Sequence, residues 1–351
     1  MPSTIPHGSA TVQVSIISPN QVLDVPPSSF LTPEIPGTTY SDTPCLSFLI
    51  EHVDASGKLS RALWDLGIRS DWENLPPAAV AAIEAMGIKI HTKADVVDQR
   101  QAHNIEPSII STLFLSHWHF DHVGDATRLP KTCKIVMGPG SKKHCLPGYP
   151  ENPDSLINGD VFQDREFHEL DFSATGLAIA GLAAIDWFGD GSFYLLNTPG
   201  HAIGHISALA RTTLGNPAET ASDTFIFLAG DVCHHMGELR PNEWEPLPPT
   251  APSSNNLPIA PHKYLSAHPC HCIDKPFYKP SEGGFMLNAA EMQATVQKVA
   301  VLDSDPRVFT VLSHDHWLLD VIEPFPHTAN EWRAKGWAEK ARWRFLRDFR
   351  V

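Results

Sequence analysis

Four apolar runs in this chain each end in a short polar loop rich in His and Asp. They are STLFLSHWHFDHVGD near residue 115, FYLLNTPGHAIGH, TFIFLAGDV and RVFTVLSHDHW. Apolar runs of four or five residues bounded by turn-forming residues read as buried strands. A chain that repeatedly delivers metal-capable side chains at strand ends constrains its fold: those ends must meet along one edge of a layered sheet structure, where loops carry function on a rigid scaffold. The densest loop holds His117, His119, Asp121 and His122 within six residues. Alternate residues of an extended segment share a face, so His117 and His119 are expected to aim one way, with Asp121 and His122 turning toward a second point beside them. Imidazole nitrogens and carboxylate oxygens suit zinc, and also iron or manganese.

The HWHFDH segment resembles the H-x-H-x-D-H motif of the metallo-β-lactamase superfamily. The resemblance extends over roughly Leu46 to Trp317, with His201 in TPGHAIGH, Asp231 in LAGDV and His314 in VLSHDHW following in the family's order. It is closest to the dinuclear lactonase-type hydrolases and their fungal relatives. The resemblance implies an α/β fold, an αββα sandwich with metals at one edge. It implies that His117, His119 and His201 bind a first Zn²⁺, that Asp121, His122 and His314 bind a second, and that Asp231 bridges the two. It also implies a metal-dependent hydrolase that opens a lactone, lactam or cyclic carbamate by attack of a metal-bridging hydroxide, with Asp121 passing a proton to the leaving group. Bacterial lactonases with this motif carry a Tyr three residues after the bridging Asp. Here that position is His234, so an imidazole is expected in the tyrosine's place.

Neighbouring residues carry other expectations. His316 competes with His314 for the last ligand position, and His314 fits the pattern better. His205 reads either as a residue orienting a ligand or as a satisfied histidine of the core. Asp65 matches a family Asp that fixes the metal loop. Cys233 reads as structural. His268–Cys272, HPCHC, resembles half a zinc site without a matching second pair, and is expected to shape the pocket loop.

The 351 residues carry 26 Lys and Arg against 40 Asp and Glu, a formal net charge of −14. That balance argues against nucleic acid as a partner, since phosphate binding needs clustered cations. The longest apolar run, LAIAGLAAI, is about half of the roughly 20 residues a membrane helix needs. The N-terminal MPSTIPHGSA lacks the marks of a secretory signal, so a cytoplasmic address with six free cysteines is expected. The partner expected is a small cyclic acyl substrate, with no nucleic acid or membrane, acting on a monomer or homodimer. Thioester hydrolysis is the alternative activity. A mononuclear iron oxygenase and a non-catalytic binding module are more distant ones.

Along the chain, residues 1–44 read as an extended arm with an early strand at Val12, Val14 and Ile16, and residues 45–351 as the hydrolase domain. CLSFLIEHV and RALWDLG read as strands paired around DASGK. PPAAVAAIEAMG and Asp95–His103 read as helices. Pro241–Pro280 holds ten prolines in forty residues; it is expected to lack regular structure and to fold over the site, with Tyr264, Phe277 and Tyr278, as well as Trp118 and Phe120, walling the pocket. NEWRAKGWAEKARWRFL is expected to form a C-terminal amphipathic helix that buries Trp332, Trp337 and Trp343.

Overall fold

In a computed structural model of the protein, residues 5–18, 22–36, 38, 42–92, 94–103, 105–215, 222–252, 258–259, 261–283 and 286–349 are described. Two six-stranded sheets stack face to face. The first contains Val12–Ile17, Ser47–Val53, Leu59–Trp64, Thr112–Phe114, Lys134–Met137 and Phe167–Glu169. The second contains Ala178–Ile179, Leu182–Asp186, Phe193–Asn197, Ile206–Thr213, Thr224–Leu228 and Val308–Val311.

Between the sheets lie Val14, Ile16, Phe48, Ile50, Trp64 and Phe114 from one side and Phe193, Leu195, Ile226, Leu228 and Phe309 from the other. Both sheets are therefore apolar on the facing side, and each hides its outer face under helices. Val96 and Val97 of the helix Val96–Gln101 cover the first. Met292, Val296 and Val299 of the helix Ala289–Asp303 cover the second. The result is the expected α/β sandwich of αββα layers. Burial on both faces explains why its central strands read as unbroken apolar runs rather than alternating ones.

The hairpin around DASGK forms as the sequence suggests. Ser47–Val53 pairs antiparallel with Leu59–Trp64, Asp54 caps the turn by accepting from the backbone of Ser56 and Lys58, and Gly57 supplies the positive φ of 84°. The helix Pro77–Ala85 starts on its proline. Asp95 and Asp98 form a reciprocal capping box that starts the next helix.

The N-terminal segment is tied into the body. Val12–Ile17 pairs with Ser47–Val53. Val22–Asp24 pairs with Thr43–Pro44 and Lys89–His91 in a small three-stranded sheet. No helix among the described residues is long and apolar enough to cross a membrane.

Three expectations are corrected. The proline-rich stretch holds regular structure: Pro261–Ala267 is a helix that begins on a proline, where the missing N–H costs nothing. Residues 253–257 and 260 of that stretch lie outside the described residues. The C-terminal segment is not one helix. It is a short helix, Trp337–Ala341, and a 3-10 turn, Arg344–Asp348. Gly336 sits at φ 65°, a left-handed conformation that ends any helix running through it. Trp332 and Trp337 still pack between the sheets, and Trp343 packs under the second. Of the six cysteines, Cys45, Cys133, Cys145 and Cys233 are free and buried, whereas Cys270 and Cys272 form a disulfide.

Candidate metal centre

Each strand end presents its polar loop at the same edge. Thr112–Phe114 leads into Ser116 and His117, and His119 precedes the short helix Phe120–Val123. Phe193–Asn197 leads to His201 and His205, Thr224–Leu228 to Asp231 and His234, and Val308–Val311 to His314.

The seven expected ligands form two adjoining groups. In the first, His117 Nε2 lies 2.9 Å from His119 Nδ1 and 3.2 Å from His201 Nε2, and His119 Nδ1 lies 3.0 Å from His201 Nε2. In the second, Asp121 Oδ2 lies 3.7 Å from His122 Nε2 and 3.4 Å from His314 Nε2. Asp231 stands between them. Its Oδ1 is 3.2 Å from His122 Nε2, and its Oδ2 is 3.2 Å from His314 Nε2, 3.5 Å from His201 Nε2 and 3.9 Å from His117 Nε2.

These distances allow a test of metal fit. A tetrahedral zinc with bonds of about 2.0–2.1 Å spaces its donors about 3.3–3.4 Å apart, close to the separations within both groups. Three imidazole nitrogens facing one point cannot all satisfy one another by hydrogen bonds, and His122 Nε2 and Asp231 Oδ1 have no hydrogen-bond partner although both are buried. A cation satisfies all of them together.

The outer ring nitrogens are already committed. His122 Nδ1 donates to Asp65 Oδ2 at 2.9 Å, and His314 Nδ1 donates to the Pro44 carbonyl at 2.7 Å, so in each ring Nε2 is the atom left to face the centre. Asp65, at φ 55°, also accepts from the backbone and hydroxyl of Ser116 and thereby fixes the loop that bears His117. His205 orients Asp231: its Nδ1 donates to Thr198 O at 2.9 Å and its Nε2 accepts the Asp231 N–H at 3.0 Å. Gly230 makes this approach possible. It has a φ of 58°, and a Cβ there would meet His205 Nε2 and Ser116 Cβ at 2.9 Å.

The electrostatics divide the two groups. Burial, together with neighbouring imidazoles, holds His117 and His201 well below the usual histidine range, and burial pushes His119 down to about 3. These rings are neutral, the state in which imidazole binds metal. Burial also opposes charge on His122 and His314, but Asp231 beside both outweighs it and holds them well above the usual range. Burial would raise Asp231, yet His122 and His314 hold its carboxyl well below the usual range.

The remaining expected residues separate. His234 is buried, with Nε2 3.5 Å from Asp231 Oδ2, and its ring lies 4.3 Å from that of Phe30. His316 turns away, with Nε2 3.3 Å from Asp348 Oδ1. Cys233 is buried under the second sheet. His268 donates to the Lys275 carbonyl and takes no part in the donor clusters among the described residues.

An open cavity reaches the centre. Its polar half is His119, Asp121, His201, Asp231, His234 and His314, and its other half is Leu23, Val25, Phe30, Thr43, Ile88 and Phe120. The aromatic-wall expectation holds for Phe120 only. Tyr264, Phe277 and Tyr278 are packed in the core under the second sheet, and Trp118 packs against His144 on the outer side of the first. Sequence reading missed Leu23, Val25 and Phe30, because PPSSF carries no periodic signal that would place it at a site.

The matches to known proteins agree with this geometry. Residues 42–210 match the profile of the metallo-beta-lactamase superfamily. The chain is 38% identical over 356 residues to gamma-lactamase FDB1 of Fusarium pseudograminearum, covering 99% of this chain and 85% of that one. The chain belongs to the metallo-beta-lactamase superfamily. A second member, gamma-lactamase MBL2 of Gibberella moniliformis, is 42% identical over 243 residues, covering 68% of this chain and 99% of its own. The superfamily fold is also that of a solved quorum-quenching N-acyl homoserine lactone hydrolase, with a TM-score of 0.57 at 12% identity over 92% of this chain and all of that one.

Proposed function

We propose that this superfamily member is a dinuclear zinc hydrolase that opens a lactone, lactam or cyclic carbamate ring. The observation that carries the reading is Asp231, whose two oxygens face the two donor groups from between them. His117, His119 and His201 would hold one ion, Asp121, His122 and His314 the other, and Asp231 both. When bound, zinc supplies Lewis acidity toward an acyl oxygen and makes water acidic enough to attack near neutral pH.

The chain's own residues supply the rest. Asp231 sets the spacing of the two groups and is itself held by His205. His234 stands beside Asp231 at the cavity wall, where it can orient the substrate carbonyl. Asp121 Oδ2, 3.4 Å from His314 Nε2, is placed to carry a proton to the leaving atom. In net terms water adds across the acyl bond: a C–O bond forms at the carbonyl carbon, the ring C–O or C–N bond breaks, and the proton ends on the departing oxygen or nitrogen. Thioester hydrolysis on glutathione or a carrier arm is less well supported, since no Lys or Arg among the described residues lines the cavity to pair with such an arm's carboxylate or phosphate.

Elemental analysis of protein purified without added metal, paired with a ring-opening assay on small lactones and lactams, tests the reading. Two zinc per chain with turnover is the expected result. His119→Ala should lose metal and activity together, and full retention of both by that variant would refute the ligand assignment.

A further inference from the structure

The turn that follows Asp231 brings a further imidazole to the first donor group. Its backbone is fixed locally: Glu238 Oε1 accepts the N–H groups of His234 and His235, at 2.7 Å and 3.3 Å, and Met236–Glu238 forms a 3-10 turn behind them. His234 is 3% exposed. Its ring centre lies 4.3 Å from that of Phe30 and 4.8 Å from that of His201. Phe30 is clamped in turn on both backbone sides: its N–H donates to Pro27 O at 3.0 Å, and its carbonyl accepts the Ser281 N–H at 2.8 Å. The imidazole is therefore held in place from its own turn and from the N-terminal segment.

His201, Asp231 and His234 offer one ligand atom each within 4.8 Å of one another. This third group shares two members with the donors already described. His234 Nε2 stands 3.5 Å from Asp231 Oδ2, and His201 Nε2 stands 3.5 Å from the same oxygen. The separation decides between two uses of the ring. Heavy atoms in an N–H···O hydrogen bond stand about 2.7–3.2 Å apart, whereas donors on one zinc stand about 3.3–3.4 Å apart. His234 is thus set off from Asp231 by the spacing of a fellow ligand, as His201 is. The first group and Asp231 already give one ion four donors, and zinc can expand to five. Imidazole in place of the lactonase phenol also exchanges a hydroxyl for a nitrogen that suits zinc.

We propose that His234 is a metal ligand in addition to the seven expected ones, giving the ion at His117, His119 and His201 a fifth protein donor while the cavity holds no substrate. The inference rests on the dinuclear hydrolase reading and concerns the same centre.

Cobalt(II) exchanged into the holoprotein tests it, because each imidazole bound to this paramagnetic ion gives one strongly shifted ring N–H proton signal. His117, His119, His122, His201 and His314 account for one signal each. The expected spectrum has a sixth in the parent protein and returns to five in His234→Gln, whose amide can still hydrogen-bond a substrate carbonyl. Competition with a chelator supplies a second readout. His234→Gln and His234→Ala should each hold one of the two ions about tenfold more weakly than the parent does, with the other within about threefold. An equal signal count in parent and His234→Gln, in protein that binds two ions, removes His234 as a ligand and leaves the hydrolase reading intact. Chelator competition that is unchanged in both variants does the same. A parent protein that binds one ion, and whose spectrum loses a signal in His234→Gln, keeps His234 as a ligand and removes the dinuclear reading instead. No metal uptake by the parent overturns both.

Discussion

Asp348, three residues from the C-terminal Val351, accepts a hydrogen bond from His235 Nε2 at 3.0 Å. The tautomer follows from the other ring nitrogen, since His235 Nδ1 accepts the Gly237 N–H at 2.9 Å. The second Asp348 oxygen accepts from Trp317 Nε1 at 3.0 Å. One buried carboxylate thus ties the loop after Asp231 to the loop after His314 from behind the metal-binding face. Asp348→Ala leaves the buried His235 and the half-buried Trp317 and His316 without this acceptor, at about 1–3 kcal/mol for a buried donor. The expected loss is about 2–4 kcal/mol of unfolding free energy by urea titration; a loss below about 0.5 kcal/mol would show that the tie is energetically idle.

His314 and His316 lie two residues apart and face different partners. His314 Nε2 approaches Asp231 and Asp121, while His316 Nε2 approaches Asp348. Replacing His314 by Ala should remove metal from one group and reduce turnover by two orders of magnitude or more, consistent with loss of a ligand. The His316→Ala protein should keep its metal and most of its activity. Elemental analysis of the two variants side by side decides it, and the opposite ranking would move the ligand role to His316.

Glu238 governs part of the pH response. Burial pushes its carboxyl up to about 8 from an ordinary 4.5, against the backbone N–H groups of His234 and His235 that it accepts from. The folded state therefore holds a proton that the unfolded chain releases. This contribution to stability is fully present below the unfolded value and is lost as pH rises through the folded one. Glu238→Gln, neutral throughout, should flatten the decline in unfolding free energy between those two values. A decline of the same slope in both proteins would assign the effect elsewhere.

Asp303 and Arg240 form a two-pronged ion pair, with Nε to Oδ2 at 2.7 Å and Nη2 to Oδ1 at 2.6 Å, and both side chains are buried. Asp303→Asn would strand the guanidinium in the core. The expected cost is about 3–5 kcal/mol, read as a shift in the urea midpoint. A shift under about 1 kcal/mol would mean that Arg240 finds other acceptors.

The donor residues were legible because their spacing is local. An H-x-H-x-D-H loop directly after an apolar strand fixes side-chain direction within a few residues, and Asp231 and His314 repeat the same strand-then-loop grammar. The hairpin at DASGK and the helix start at Asp95 were legible for the same reason: each is closed by hydrogen bonds within four residues. The C-terminal segment shows where local pattern fails. Its tryptophans were rightly placed in the core, but the helix predicted through them is confined to Trp337–Ala341 and begins only after Gly336, whose left-handed backbone keeps it from running back through Trp332.

The sequence by itself marked the apolar strand ends that carry His and Asp, since apolar runs and turn chemistry act within a few residues, and its resemblance to the superfamily supplied the layered fold and the seven expected donors. Tertiary structure alone decided which other residues reach the site. Phe30 lies 204 positions from His234 in the chain and meets it only because the small sheet of Val22–Asp24 and Lys89–His91 docks over the sandwich edge. Tyr264, Phe277 and Tyr278, equally aromatic, are drawn under the second sheet instead. Burial of apolar area is non-directional, so composition marks these rings as ones to be buried, and the packing of distant elements sets whether each is buried against core or against substrate.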